Sequence, residues 1–275
     1  MTVAGKPEKI LILGASGKVA RRLRAVWQAQ PPCFQPLWWT REDVARFTCD
    51  NGAVVPQITG IIALWGVSYG NEKELAQNAA LGSLAQQIAA KTGAARVLHA
   101  STQAVYGRDC DNASEEQILR PASPYGQAKI AMEEAVKEIG PACPIILRLS
   151  NVFGADSLAH HMLQDARLQL DRFADGHGPR RSYIGAVDLA RLLEALVQRP
   201  IAQVPKVLNV AGPRPLSMQS ILEAAKVPFD WRPAPQSALQ CATLDTSLFA
   251  RSGLPMPQAQ TAEALMQDWR DTGGL

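Results

Sequence analysis

KILILGASGKVA, Lys9–Ala20, is the stretch on which the reading of this chain turns. Its first five residues are a short, continuous apolar run, the pattern of a strand buried on both faces. The run breaks into a turn with small residues at Gly14, Gly17 and Ala20, and a helix with Val19, Leu23, Val26 and Trp27 on one apolar face follows. Strand, glycine turn and helix in that order form a phosphate cradle. Gly14 permits the tight turn, Gly17 lets backbone N–H groups approach a pyrophosphate, and Ala20 lets the helix pack close to the strand. The candidate cofactor residues here are Gly14, Ser16, Gly17, Lys18 and Val19, and the cofactor class is a dinucleotide.

Downstream, a second strand at Pro36–Trp39 should end beside the adenosine ribose, where an acidic residue usually holds the hydroxyls for NAD. This chain reads Trp39, Thr40, Arg41 there. Arg41 suits a 2′-phosphate, with Arg21 or Arg22 adding to it, so the expected cofactor is NADP. The alternative is NAD, with Arg41 solvated and Glu42 or Asp43 in the acidic role. The segment Val44–Gln57 reads as a third strand with little helix before it. Gly60–Trp65 (GIIALW) is another buried strand, leading to a glycine-rich loop, and Glu72–Thr92 has helical spacing and stops at Gly93.

The next strand, Arg96–Ala100, runs out at Ser101 and Thr102, and a polar stretch leads to RPASPYGQAK, Arg120–Lys129. Pro124 marks a first helical turn. Tyr125 and Lys129 then fall one turn apart on one face. A phenol is a poor base at neutral pH, and an ammonium held close by is expected to lower its pKa. Thr102, at a strand end, is placed to hydrogen-bond the same substrate oxygen. A tyrosine four residues before a lysine is common by chance; its weight comes from the glycine turn upstream.

Pro144–Leu149 (PIILRL) reads as one more strand, so strands and helices alternate as in a parallel sheet covered on both sides. In such sheets sites lie beyond the strand carboxyl ends, where Gly14, Thr102 and Asn151 fall. From Ser150 the texture changes. A helix is expected at Ala159–Phe173, a strand end running into a helix at 182–197, a short strand at Val207–Val210, and a helix capped by Ser217. A Pro-rich tail with a late helix follows. This divides the chain into residues 1–150 with the return of 181–211, and a reduced lobe of 151–180 and 212–275.

The totals agree with a folded enzyme-sized chain: 275 residues, 47% hydrophobic and 19% charged, with a net charge of +3. That charge, without Lys/Arg runs, argues against nucleic acid as a partner. No apolar run approaches the roughly eighteen residues of a membrane span, so a cytoplasmic protein with no membrane partner is expected. Five scattered cysteines form no CxxC pair, and adjacent His160 and His161 are badly placed for one ion, so no metal site is expected.

Taken together, GASGKVA, STQAVYG, PYGQAK, LRLSNVFG and RRSYIGAVDLA occur in the order and spacing that resembles the extended short-chain dehydrogenase/reductases, the NAD(P)-dependent epimerase/dehydratase family. The resemblance implies an α/β, Rossmann-type doubly wound parallel sheet with a small, mostly C-terminal substrate-binding lobe. It implies an NAD(P)-dependent oxidoreductase or epimerase working at a carbinol or carbonyl carbon of a sugar or nucleotide sugar, and it suggests a homodimer. By that likeness Thr102, Tyr125 and Lys129 are catalytic, the lysine also holding the nicotinamide ribose, while hydride moves to or from the nicotinamide. Asn151 matches a residue that binds the nucleotide sugar, and Arg181 one that grips its diphosphate. Dehydratases of the family carry an Asp-Glu pair where this chain has Gln103 and Ala104, so water elimination is not expected. Only about thirty residues separate Asn151 from Arg181, which implies a trimmed substrate lobe. Two other readings remain: an NADP sensor without turnover, and a reductase of a non-sugar carbonyl.

Overall fold

The computed structural model describes residues 8–49, 56–108, 110–137, 139–164 and 167–274. In chain order the first part comprises β1 (Lys9–Leu13), α1 (Lys18–Ala29), β2 (Gln35–Trp39), α2 (Arg41–Cys49), β3 (Gly60–Ala63), α3 (Glu72–Thr92), β4 (Arg96–Thr102), α4 (Pro124–Ala135) and β5 (Cys143–Leu149). Then come β6 (Asn151–Val152), α5 (Ser157–Met162), β7 (Leu168–Arg172), β8 (Arg180–Arg181), β9 (Tyr183–Ile184), α6 (Ala186–Gln198) and β10 (Val207–Val210). The chain closes with β11 (Leu216–Ser217), α7 (Met218–Ala225), β12 (Phe229–Pro233), β13 (Cys241–Ala242), α8 (Ser247–Arg251) and α9 (Ala262–Asp271).

Six strands form one parallel sheet in the order β10-β5-β4-β3-β1-β2. The chain winds outward from β1 to β2, then crosses back to β3 and winds the other way, so the direction reverses at β1/β3. That reversal opens a crevice at the carboxyl edge. Both sheet faces are covered. Ile10, Ile12, Leu98 and Leu147 point into a core closed by Leu23 and Val26 of α1 and Leu189, Leu193 and Leu196 of α6. Leu11, Leu13, Ile61 and Val97 point the other way, against Ala85, Ile88 and Ala89 of α3. Successive strand residues alternate between two apolar layers, which is why these strands read as unbroken apolar runs.

Two expectations are corrected. Where a third strand was expected across Val44–Gln57, residues 41–49 form helix α2, and 50–55 lie outside the described residues, so the strand that ends in Leu147–Leu149 is the fifth. The helix forms because the Thr40 N–H and hydroxyl both donate to the Asp43 carboxylate, at 2.8 and 2.7 Å, fixing its first turn. Val44 and Phe47, three residues apart, then pack inward, Phe47 against Trp39. The helix expected at 159–173 is only Ser157–Met162, started by the Asp156 side chain. Leu168–Arg172 is instead a strand, paired in parallel with Phe229–Pro233. Leucines at 168 and 170 suit a period of two once a partner strand is available.

A further apolar cluster packs around Phe153, Tyr183 and Trp269, the Phe153 ring meeting those of Trp269 and Tyr183 edge to face at 5.2 and 6.0 Å. The Asp268 carboxylate of α9 accepts from the Ala186 and Val187 N–H groups at 2.9 and 3.0 Å, so the C-terminal helix caps α6. On the other flank the buried Asn209 of β10 accepts from the Tyr106 hydroxyl at 2.7 Å and donates to the Ala113 and Asp245 carbonyls. Its N–H donates to Glu115. The last strand of the sheet therefore holds the segment that follows β4.

Candidate active site

The carboxyl ends of the central strands open into a cavity of about 500 Å³. It is lined by Gly17, Lys18 and Val19 at the start of α1, by residues 64–69 after β3, and by the end of β4 with Thr102. Tyr125 and Lys129 of α4 and Leu149–Val152 close it, with Ala155, Asp156 and Ser157. Five separate stretches of sequence thus converge on one space.

At the α1 end, Gly14 has φ +90°, and a Cβ there would lie 2.8 Å from the Trp65 backbone nitrogen. Only glycine fits. Gly17 caps α1 without any side-chain hydrogen bond, and the first turn carries no acid. The first N–H groups of α1 are left for an anion, which suits a phosphate. Two further buried atoms on the cavity wall, Trp65 Nε1 and Ser150 Oγ, have no hydrogen-bond partner among the described residues. A glycine cradle, an uncapped helix start and spare buried donors fit a dinucleotide.

At the α4 end, the Ser123 side chain accepts from Gly126 N–H, and Pro124 follows it in the first turn. This sets Tyr125 and Lys129 on the face turned to the cavity. Lys129 is 5% exposed, and its Nζ donates to the Ala100 carbonyl at 2.8 Å. Burial pushes its pKa down to about 8, with Glu133 one turn along acting the other way. The Tyr125 phenol is pushed above its ordinary value by burial, against which the hydrogen bond with Thr102 works. The expectation that Lys129 lowers the phenol is therefore not met here: burial outweighs the hydrogen bond with Thr102, and Lys129 is not among the groups that shift it. Thr102 Oγ1 also accepts from the Ala104 N–H at 3.2 Å, which fixes the hydroxyl at the strand end.

Asn151 lines the cavity, its Nδ2 donating to the Ser182 carbonyl at 3.3 Å. Arg41 is exposed and is not among the lining residues, but its Nη2 donates at 3.4 Å to the carbonyl of Gly66, which is one of them. Asp43, the alternative acidic partner, is engaged in its own helix cap, which holds its carboxyl below the usual range. Arg181 is placed differently from the expectation. Its guanidinium donates to the carbonyls of Arg180, Leu239 and Gln240 at 2.7–2.8 Å and does not line the cavity. Gly14 and Ser16 are not among the lining residues; Gly14 is half-buried and Ser16 exposed.

Sequence reasoning passed over Trp65, Tyr69, Ser150 and Asp156, all of which line the cavity. Tyr69 is 82% exposed at its rim. Asp156 is held up at about 6 by burial while its carboxylate caps α5. Their signal in the sequence is only position, each within a few residues after a strand end. Among the described residues no group of His, Cys, Asp and Glu could hold a metal ion. No described helix is long and apolar enough to cross a membrane.

The fold has solved counterparts. A dTDP-4-dehydrorhamnose reductase from Bacillus anthracis, solved with NADP, superposes with a TM-score of 0.76 at 17% identity, covering 97% of this chain and 99% of that one. A UDP-glucose 4-epimerase from Brucella ovis, solved with NAD, does so with a TM-score of 0.76 at 18% identity over 95% and 97%. In sequence, the chain is 28% identical over 238 residues to a dTDP-6-deoxy-L-talose 4-dehydrogenase (NAD(P)(+)) from Kitasatospora kifunensis, 74% of each chain. Residues 10–211 match the NAD dependent epimerase/dehydratase family, and the chain belongs to it.

Proposed function

We propose that this protein is an NAD(P)-dependent oxidoreductase or epimerase acting at a carbinol or carbonyl carbon of a nucleotide sugar, with Tyr125 as the proton-transferring group. One observation carries the reading: a single cavity is lined both by the glycine turn of α1 and by Thr102, Tyr125 and Lys129. The three relatives described above all carry position 4 of a sugar in their names, which favours that ring position.

The nicotinamide, when bound, supplies or takes up the two-electron equivalent. The chain's own groups handle the proton. A phenol, protonated at neutral pH and raised further by burial, suits donation to a carbonyl oxygen. The Lys129 ammonium, pinned by Ala100, stabilises the phenolate left behind, and Thr102 holds the phenol in line. Gln103 and Ala104 offer no acid–base pair for eliminating water. The test is turnover of NADPH and NADH against a panel of dTDP- and UDP-linked 4-keto sugars; no turnover of any member would remove the nucleotide-sugar reading.

Lys129 gives a pH expectation. Its ammonium is charged below about pH 8 and neutral above it. The reduction rate should hold through the neutral range and fall as pH rises past about 8, and a flat profile to about pH 10 would show that the ammonium charge is not used.

On the cofactor, the exposed Arg41 guanidinium, which bonds the Gly66 carbonyl and no carboxylate among the described residues, favours NADP. Arg41→Ala should weaken NADPH roughly 10-fold or more and leave NADH within about twofold, read by fluorescence titration. Tighter binding of NADH than NADPH to the wild type would reverse the assignment.

A second reading has an observation of its own. Arg181 donates to three carbonyls, so the guanidinium that the resemblance would place on a diphosphate is already engaged. That favours a carbonyl substrate without a nucleotide, and free keto sugars in the same panel separate the two.

A further inference from the structure

Cys143 opens β5 at the amino edge of the sheet, and an amine from the neighbouring strand meets its sulfur. Lys206, the residue before β10, brings its Nζ to 2.7 Å from Cys143 Sγ. Strand pairing sets this contact. Val207 stands opposite Ile146, and the Ile146 N–H donates to the Lys206 carbonyl at 2.8 Å. One step back in that register Lys206 faces Ile145, and Cys143 lies two residues before Ile145 on the same face of the sheet. The cysteine is held from its other side as well. Its N–H donates to the Ala95 carbonyl at 2.9 Å, and its cross-strand partner on β4 is Arg96, whose guanidinium interacts with the sulfur.

Partly exposed thiols beside lysine and arginine are the ones that react with oxidants. Cys143 is half-buried and Lys206 exposed, so a small peroxide reaches the pair. Lys206 forms no salt bridge among the described residues, which leaves its amine to the sulfur. We infer that Cys143 and Lys206 are a redox-sensitive pair that forms a covalent sulfur–nitrogen link when a hydroperoxide oxidises the thiol. In the first step the sulfur attacks hydrogen peroxide: the O–O bond breaks, an S–O bond forms, and the thiol becomes a sulfenic acid as water leaves. In the second, Lys206 gives one proton to solvent and its nitrogen attacks the same sulfur; the S–O bond breaks, and the oxygen departs as water with a second proton from the amine. One peroxide is reduced for the two electrons that sulfur loses, and nitrogen keeps its oxidation state. Sulfenic acids close in this way on backbone nitrogens. Here a side-chain amine already in contact takes that place. The link fastens β10 to β5 over a sequence separation of 63 residues, and a thiol reductant reopens it. The length of β5 separates it from Leu149 at the cavity, about 20 Å at roughly 3.3 Å per residue, so it acts on the sheet edge and not on the site.

The experiment treats the full chain with hydrogen peroxide and reads proteolytic peptide masses and Tm for wild type, Cys143→Ser and Lys206→Arg. Lys206→Arg keeps a cation beside the sulfur and removes the amine. Wild type is expected to yield a linked pair of peptides carrying Cys143 and Lys206, lighter by two hydrogens than the two peptides apart, and neither variant should do so. The link should raise the Tm by roughly 5 °C, with dithiothreitol reversing the rise, and Lys206→Arg should show no such change. The exposed Cys33 and Cys49 report that peroxide has reacted. If they are oxidised while Cys143 stays a free thiol, or if Cys143 advances to a sulfinic acid without linking, the inference is overturned. A linked pair that retains an oxygen overturns the condensation step, and an unchanged Tm in linked protein overturns the fastening of the sheet edge. None of these results bears on the dinucleotide reading.

Discussion

Tyr125→Phe is expected to lower kcat by about 10²- to 10⁴-fold, the range for removing a positioned proton donor. The same change should leave the NADPH dissociation constant within about threefold. The substitution removes one oxygen and keeps the ring, so the packing of α4 against the segment after β4 survives. The lost atom is the one that hydrogen-bonds Thr102 and lines the cavity beside Lys129. A matched Lys129→Met variant should lose activity as well, and in addition weaken the cofactor, since its ammonium lines the cavity directly. Steady-state rates and a binding titration on the same preparations decide it. Equal rates for wild type and Tyr125→Phe would take the proton-transferring role away from this residue.

The second large effect is on stability. Arg148→Met is expected to destabilise the fold by about 3–5 kcal/mol, read from the urea unfolding midpoint. Arg148 on β5 and Glu133 on α4 form a buried ion pair at 2.8 Å, with side chains 6% and 2% exposed. Arg148 Nε also donates to Glu133, and Nη1 donates to the Tyr106 hydroxyl and the Glu115 carbonyl. The Ser101 hydroxyl donates to the same carboxylate. Methionine keeps the length of the arginine stem but strands a carboxylate in the interior, and that uncompensated charge is the source of the loss. Adding Glu133→Leu should recover part of it, because removing both charges leaves neither unpaired. A loss below about 1 kcal/mol for Arg148→Met would mean that water reaches Glu133. The network borders the active site, since Ser101 precedes Thr102 and Glu133 lies one turn beyond Lys129, so the variant should also turn over more slowly.

The sheet was legible because each central strand is apolar on both faces, as in KILIL and PIILRL, and because the glycine turn sits between a strand and a helix. Helix α2 was not legible. Its apolar content is little more than Val44 and Phe47, and the feature that starts it, the double hydrogen bond from Thr40 to Asp43, is a three-residue detail in a polar stretch. Leu168–Arg172 was misread because its strand partner, Phe229–Pro233, lies some sixty residues on. The catalytic candidates were found through local spacing, which is why Thr102, Tyr125 and Lys129 meet as expected in one cavity. The carbonyls of Leu239 and Gln240, which occupy Arg181, come from a distant loop that no local pattern announces. The direction of the Tyr125 shift was also hidden, because it depends on how deeply the phenol is enclosed rather than on the charge beside it.

The place of β10 in the sheet bears on how the protein is made. Its residues 207–210 pair with β5 and supply Asn209, on which Tyr106, Ala113 and Glu115 all depend. While the ribosome is still translating the residues before β10, one edge of β5 has no neighbour and the segment carrying Tyr106 lacks its Asn209 partner, though Arg148 of β5 already reaches it. A growing chain therefore passes through a stage in which five of the six sheet strands are made and the sixth is still to come, and a fragment cut after β5 keeps that edge open.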